Sequence, residues 1–390
     1  MDYTSLGNRH ITSSNTAINK TKPQAGSGHA PIVGVVANPT SARDIRRVVV
    51  NAGNLQLADR VSIMLRLLAA LGSCGIRNVL MMPDRHGLCA LLQRNLERER
   101  AYAKASERWP TLTLLDMPVT GTVQDSQRAS RLLQRAGAAA TIVLGGDGTH
   151  RAVVSECADV PIAGLSTGTN NAYPQTHEPT SVGLAVGLYA SGRIPAAVAL
   201  VTNKCLDIQI FRAGTQTLHE IALVDVAVLR DPFIGAGAMW DADALAALYL
   251  SFSEPDAVGL SSIGGLLQPV GRREAGGLYV ELAPCDSKGG APPKFMLMAP
   301  IAPGLLRPIG IRHWQRLENG VPAKIQRGSG AIALDGERSI GFAADDTIQA
   351  TLHENAFLSV DVKACMRYVA TQGILRNFSS DGAVSAPDMP

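Results

Sequence analysis

The sequence has little charge of either sign. Charged residues are 18% of 390, and 36 Lys and Arg against 33 Asp and Glu leave a net +3. A nucleic-acid partner needs positive charge concentrated on one face or segment, and none is present. Aromatic residues are scarcer still, at 4%, so few rings are available for bases to stack on. No apolar run approaches the roughly 20 residues that span a bilayer, and no amphipathic membrane-binding segment stands out. Stable membrane association is therefore not expected. The six cysteines (Cys74, Cys89, Cys157, Cys205, Cys285 and Cys365) include no Cys-x-x-Cys pair. Such scattering excludes a disulfide framework and a zinc site, so the thiols read as reduced core fillers and no metal-ligand set is expected. The first thirty residues are polar and lack the apolar stretch of a signal peptide. The expectation is a cytoplasmic protein.

What the sequence does have is apolar residue in quantity, 46%, and length enough for two cores. Residues 1–30 are rich in Ser, Thr, Asn, Gly and Lys without periodicity and read as a disordered tail. Pro31 to Ala37 is a short apolar run, a buried strand. Ala58 to Gly75 carries Val61, Leu65, Leu68 and Leu71 at helical spacing, and Asn78 to Met82 is a second strand. A helix from Leu88 to about Arg108, a strand at Leu112 to Leu115, a helix over Val123 to Ala136 and a strand at Thr141 to Leu144 continue the alternation. A short helix from Thr149 and a strand at Pro161 to Leu165 complete it. The pattern predicts an α/β domain over 31–197, a Rossmann-like parallel sheet with helices on both faces.

Near residue 198 the texture changes. Ala199 to Phe211, Leu218 to Leu229, Gly277 to Leu282, Lys294 to Met298 and Ala331 to Leu334 read as strands, with a helix at Asp241 to Leu250. Residues 198–356 are therefore expected to form a β-rich, sandwich-like substrate domain. Phe357 to Val362 and a helix from Lys363 to Leu375 read as a return to the first domain (357–378), and 379–390 is again tail.

Chemistry concentrates at strand ends. Thr141 to Leu144 runs into Gly145-Gly146-Asp147-Gly148-Thr149 and then a helix. Glycines admit backbone amides close to phosphate, and a helix start offers unpaired N–H groups and positive dipole. A carboxylate beside phosphates is repulsive unless it has work to do, such as orienting a metal or taking a proton from an attacking hydroxyl. A tight glycine turn with a capping Asp gives the same residue string. Two further loops stand at the same edge of the sheet, where ligands bind in open α/β folds. One is Ser166-Thr167-Gly168-Thr169-Asn170-Asn171-Ala172-Tyr173, after the Pro161 to Leu165 strand. The other is Asn38-Pro39-Thr40-Ser41-Ala42-Arg43, after the first strand, which also reads as an Asn-Pro turn.

Gly-Gly-Asp-Gly-Thr resembles the signature of the superfamily that joins NAD kinases with diacylglycerol and sphingosine kinases. The stretches Ala37 to Gly53, Gly145 to Ala152 and Gly164 to Pro174 are similar to the acetoin-catabolism protein X family, grouped with the ATP-NAD kinases. The resemblance covers nearly all of 31–375. It implies an α/β domain followed by a β-sandwich-like domain with the site in the cleft between them, ATP and Mg²⁺ as cofactors, and a homo-oligomer. It also implies Asp147 as the catalytic residue. Asn38, Ser41, Arg43, Gly145, Gly146, Gly148, Thr149, Gly168, Thr169 and Asn170 would hold the nucleotide phosphates.

The acceptor is less fixed. NAD kinases carry Ala-Leu-Asn-Glu/Asp-Val, whereas this chain has Ala222-Leu223-Val224-Asp225-Val226, which keeps the acid and loses the Asn. A Val cannot make the hydrogen bonds of an Asn. Asp335-Gly336-Glu337 is similar to a late landmark of the lipid kinases and is also a strong hairpin-turn signal. Asn171, Asp225, Asp335 and Glu337 are the candidate acceptor-binding residues. The expected function is ATP-dependent phosphorylation of a hydroxyl on NAD or a related small molecule in acetoin catabolism, serving NADP biosynthesis if NAD is the acceptor. The alternatives are a non-catalytic nucleotide-binding accessory protein and a lipid kinase.

Overall fold

The computed structural model describes residues 30–38, 56–101, 109–167, 171–230, 242–284, 292–325, 328–336 and 338–376. Five parallel strands form its first part: β1 (Ile32–Ala37), β2 (Asn78–Met81), β3 (Thr111–Leu114), β4 (Ala140–Gly145) and β5 (Ile162–Ser166). Their order is β3-β2-β1-β4-β5. Every residue of β4 is buried, as a strand must be when helices cover both faces of the sheet. One face packs against α1 (Leu57–Ser73), α2 (Leu88–Ala101), α5 (Pro179–Ala190) and α8 (Val362–Gln372). The other packs against α3 (Val123–Arg135) and α4 (Asp147–Val154). The five cysteines in described segments are all buried free thiols. Burial pushes the Cys89 thiol up to about 12, which makes it inert. Among the described residues no helix is long and apolar enough to cross a membrane.

After the short α6 (Ala196–Ala199) the chain turns to antiparallel strands. Of these, β6 (Leu200–Arg212), β7 (Thr215–Ala222) and β16 (Asp346–Val360) do not leave the first sheet. They extend it in the order β5-β16-β6-β7, and β13 (Pro322–Ile325) pairs with β16. The expected division near 198 is therefore a change of strand direction within one sheet. β16 meets β5 at Ser359, in parallel with Ile162.

The second sheet has the order β11-β12-β10-β9-β8-β14-β15. Its strands are β8 (Asp225–Leu229), β9 (Leu245–Leu250), β10 (Gly277–Ala283), β11 (Phe295–Ala302), β12 (Leu305–Leu317), β14 (Gly330–Leu334) and β15 (Arg338–Phe342). One face, through Val226, Val228, Ile332 and Leu334, packs on Leu206, Ile208, Ile348 and Leu352 of the first sheet. The other, through Ala227, Leu248, Leu250 and Val280, is covered by α7 (Ser261–Leu267).

Two sequence expectations are corrected here. Asp241 to Leu250 is not a helix, because residues 242–244 form a single 3₁₀ turn and Leu245–Leu250 is β9. Alanine and leucine favour helix intrinsically, but β9 lies between β8 and β10 with nearly every side chain buried, and that packing overrides propensity. Leu218 to Leu229 is not one strand either. It divides at Leu223–Val224, where the chain leaves β7 in the first sheet and enters β8 in the second.

Candidate functional site

The strand order reverses direction at β1 and β4, so the crevice of an open α/β sheet falls beyond their C-terminal ends. The Asn38 amide N–H donates to the Leu144 carbonyl at 3.1 Å and its side chain donates to Thr149 Oγ1 at 3.4 Å. The first-strand loop and the Gly145–Thr149 loop therefore meet at that point. Gly145 is required by packing, since a Cβ there would lie 2.5 Å from the Thr149 Cβ. Arg60, buried on α1, donates to the Asn38 carbonyl at 3.2 Å and brings a guanidinium to the edge of the crevice. Thr167, one residue past β5, is 3% exposed, and its hydroxyl has no hydrogen-bond partner among the described residues.

Asp147 opens α4, with Gly146 as the extended N-cap. Its two carboxylate oxygens accept the amides of Ala172 (3.0 Å) and Tyr173 (2.9 Å). The carbonyls of the same two residues accept from Arg272, which reaches over from the second half at 2.7 Å to Tyr173 and closer still to Ala172. Arg272 also pairs with Glu254 at 3.0 Å and lies 4.3 Å above the Phe252 ring. Ala172–Tyr173 is thus gripped by an anion on its N–H side and a cation on its C=O side. His150, wholly buried, donates from Nδ1 to the Gly146 carbonyl at 2.8 Å. Burial lowers its pKa to about 4, so it is neutral at physiological pH and pins the loop.

Arg151 is buried and turned toward the second sheet. It donates to the Leu334 carbonyl at 3.3 Å and lies 3.9 Å from Asp335. Asp335, at φ 49° between β14 and β15, accepts the amides of Leu223 (3.0 Å), Val224 (2.8 Å) and Asp225 (3.3 Å). These are the amides that lose their ladder partners where the chain crosses between sheets. Ser251 meets the matching need of the Leu223 and Val224 carbonyls. Burial pushes the Asp335 carboxyl up, against the pull of Arg151 and of the amides.

The structure thus brings Asn38, Gly145, Gly146, Asp147, Gly148 and Thr149 together. Asn171 joins them from the neighbouring loop, its side chain donating to Ser166 Oγ at 2.9 Å. Asp225 begins β8, buried, and its amide donates to Asp335 at 3.3 Å. Asp335 is interior, with its acceptor capacity used on backbone. Val224 is fully buried in the cluster that holds Tyr173, Phe252 and Phe357. Ser41, Arg43, Gly168, Thr169, Asn170 and Glu337 lie outside the described residues. The sequence reading did not find Arg60 or Arg272. No motif marks them, and only their place in the fold sets them apart from other arginines.

A family model for the C-terminal domain of acetoin catabolism protein X matches residues 204–355, and one for the ATP-NAD kinase N-terminal domain matches residues 33–193. Among solved structures, yeast NADH kinase complexed with NADH is 14% identical, with a TM-score of 0.42 and 90% of each chain covered. A diacylglycerol kinase candidate from Bacillus anthracis is 11% identical, with a TM-score of 0.45 over 85% of this chain and 97% of that one. The acetoin catabolism protein X of Cupriavidus necator is 56% identical over 355 residues, 91% of this chain and 97% of that protein. Such identity over both chains almost end to end means that the chain belongs to the acetoin catabolism protein X family.

Proposed function

We propose that the protein is an ATP-dependent phosphotransferase of acetoin catabolism, acting on a hydroxyl of NAD or a related nucleotide-like small molecule. The observation that carries this reading is the position of Asp147. It stands at the N-terminal end of α4, at the reversal of strand order, beside Asn38 and Thr149. A helix start in such a crevice favours phosphate. The orphaned Thr167 hydroxyl supplies a buried donor at the end of the next strand. Gly168, Thr169, Asn170, Ser41 and Arg43 would complete the phosphate contacts, and Asn171 and Asp225 would face the acceptor.

The donor set suits Mg²⁺ carried by the nucleotide. Among the described residues no group of three acidic, His or Cys side chains forms a cage, and Mg²⁺ usually enters such sites on substrate phosphates with one or two carboxylates. When bound, the ion neutralises phosphate charge. The chain's own part is to hold the phosphates at the start of α4 and to offer the Asp147 carboxylate to the acceptor hydroxyl, since phosphoryl transfer is mostly positioning and charge neutralisation. On this reading the protein works in the cytoplasm as a homo-oligomer.

One observation favours a second reading, a nucleotide-binding accessory protein without transfer chemistry. Both Asp147 oxygens already accept an amide, and a carboxylate spent on holding a loop is a poorer proton acceptor. The Asp147→Asn protein decides between them. Assayed with ATP, Mg²⁺ and a panel of NAD, NADH, diacylglycerol and acetoin-pathway metabolites, the native protein should label an acceptor. The variant should lose at least about a hundredfold in turnover while binding ATP as before. Normal turnover in the variant removes Asp147 from the chemistry. Silence of the native protein across the panel with ATP bound supports the accessory reading.

A further inference from the structure

The peptide group between Ala172 and Tyr173 is held at both ends by side chains from different parts of the fold. Its N–H, that of Tyr173, goes to Asp147, and its C=O, that of Ala172, accepts from Arg272. The preceding amide, Ala172 N–H, goes to the other Asp147 oxygen. The following carbonyl, Tyr173 C=O, accepts from the other arm of the Arg272 fork. Pro174 follows and has no N–H to give. Tyr173 has a further restraint, since its buried ring lies between those of His150 and Phe357, with centroids 5.6 and 5.7 Å away. Ala172 has only a methyl group, so hydrogen bonds set the tilt of its peptide groups.

Arg272 can act on that peptide because it is itself fixed. It lies in the turn 271–276, between α7 and β10. Lys204 of β6, buried, donates to the carbonyls of Gly271 and Gly276 at 2.9 and 2.7 Å. Glu354 of β16 accepts the Gly276 amide at 2.6 Å. Arg273 pairs with Asp361, the N-cap of α8. The turn is therefore tied to the first sheet independently of Arg272. Within the side chain, the pair with Glu254 and the stack on Phe252 set the plane of the guanidinium before it reaches the loop. A side chain locked in this way can hold a neighbouring group in one geometry.

We infer that Arg272 is a positioning residue of the phosphotransfer site, acting through the Ala172–Tyr173 peptide group on the Asp147 carboxylate. The inference rests on the proposed role of Asp147 toward the acceptor hydroxyl. A planar peptide cannot tilt at its C=O without tilting its N–H, so the arginine fork sets the direction from which Tyr173 meets Asp147. Misplacement by about 1 Å at such a site costs up to about a hundredfold in rate. Steady-state kinetics on the acceptor that the native protein labels, with hydrogen exchange of the 171–174 segment, test this in Arg272→Ala, Arg272→Lys and Arg273→Ala. Arg272→Ala should lower kcat at least about tenfold and leave KM for ATP within about threefold. Arg272→Lys keeps the charge without the fork, so kcat should stay at least about fivefold below native; it carries the test if the alanine protein does not fold. Arg273→Ala loosens the same turn without touching the loop, and kcat should hold within about twofold. The Ala172 and Tyr173 amides should exchange at least about tenfold faster in Arg272→Ala and unchanged in Arg273→Ala. Equal kcat losses in the two alanine variants overturn the inference, as do full rescue by lysine, a change confined to KM, or unchanged exchange in Arg272→Ala. If the native protein labels no acceptor, the phosphotransferase reading fails instead, and the exchange rates still decide whether Arg272 sets the loop.

Discussion

Two Asp-Gly pairs stand at the ends of two strands, and each carboxylate accepts backbone amides from a segment distant in sequence. At Asp147 the segment is Ala172–Tyr173, in the next loop of the parallel sheet. At Asp335 it is Leu223 to Asp225, where the chain passes between sheets. The difference lies in what else each carboxylate meets. The Asp335 side chain has no exposed surface, takes three residues' amides and has Arg151 beside it. Asp147 takes two amides and stands at the positive end of a helix that opens on the crevice. A carboxylate whose every direction is filled by protein maintains architecture. One at a helix start stands where the proposed function needs an acid that meets a ligand.

The largest effect expected from this contrast is at Asp335. Asp335→Ala leaves Arg151 buried without its counter-charge and three amides without an acceptor. Loss of one partner of a buried pair costs about 3–5 kcal/mol, so urea unfolding should show a loss of that size. Asp147→Asn keeps one acceptor oxygen and should lose only about 1–2 kcal/mol in the same measurement. Equal losses at the two positions would end the distinction drawn between them.

A smaller effect is expected at Arg272, the cation on the other side of Ala172–Tyr173. Arg272→Ala removes the fork on two carbonyls, the pair with Glu254 and the stack on Phe252. About 1–3 kcal/mol should be lost. Arg272→Lys keeps the charge without the fork and should recover less than half of it. Full recovery by lysine would show that charge alone holds the loop, and would make the Asp147 side of the grip the dominant one.

The parallel half was legible in sequence because its signals are local. Apolar runs such as Ile32 to Ala37 and Thr141 to Leu144, punctuated by glycine, can only be buried strands between helices, and the loops follow at their ends. The helix Pro179–Ala190 escaped that reading. It packs on α1 through Gly183 and Gly187, where an added Cβ would come within 2.7 Å of Ala70 and Cys74. A helix buried on several sides with glycines at its contact has no polar face to set its period. In the second half the decisive facts are non-local. Nothing near Leu223 announces a sheet crossing, and nothing near Asp335 announces three amides some 110 residues earlier in the chain. Arg272 is one of 36 basic residues until the fold sets it over Tyr173.

Asp207 is the intermediate case, a nearly buried carboxylate held by side chains rather than by amides, and it carries the smallest prediction. Burial alone would raise its pKa, but hydrogen bonds from His219 and from Gln209 at 3.0 Å, with His353 farther off at 3.9 Å, hold the carboxyl well below the usual range. The same bond to Asp207 raises the pKa of His219. The Asp207 contribution to stability is present above its unfolded pKa of about 3.9 and is lost as pH falls through the depressed folded value. The His219 contribution is complete below its unfolded pKa of about 6.5 and is lost as pH rises through the elevated folded value. Both act in full between roughly pH 4 and 6.5. His219 is about a third exposed (36%), so screening keeps its share below about 1 kcal/mol. Urea midpoints followed from pH 6 to 9 should fall in the native protein and stay flatter in His219→Gln. Parallel profiles would mean that Asp207 is held by neutral hydrogen bonds alone, without the charged partner that Asp335 has in Arg151.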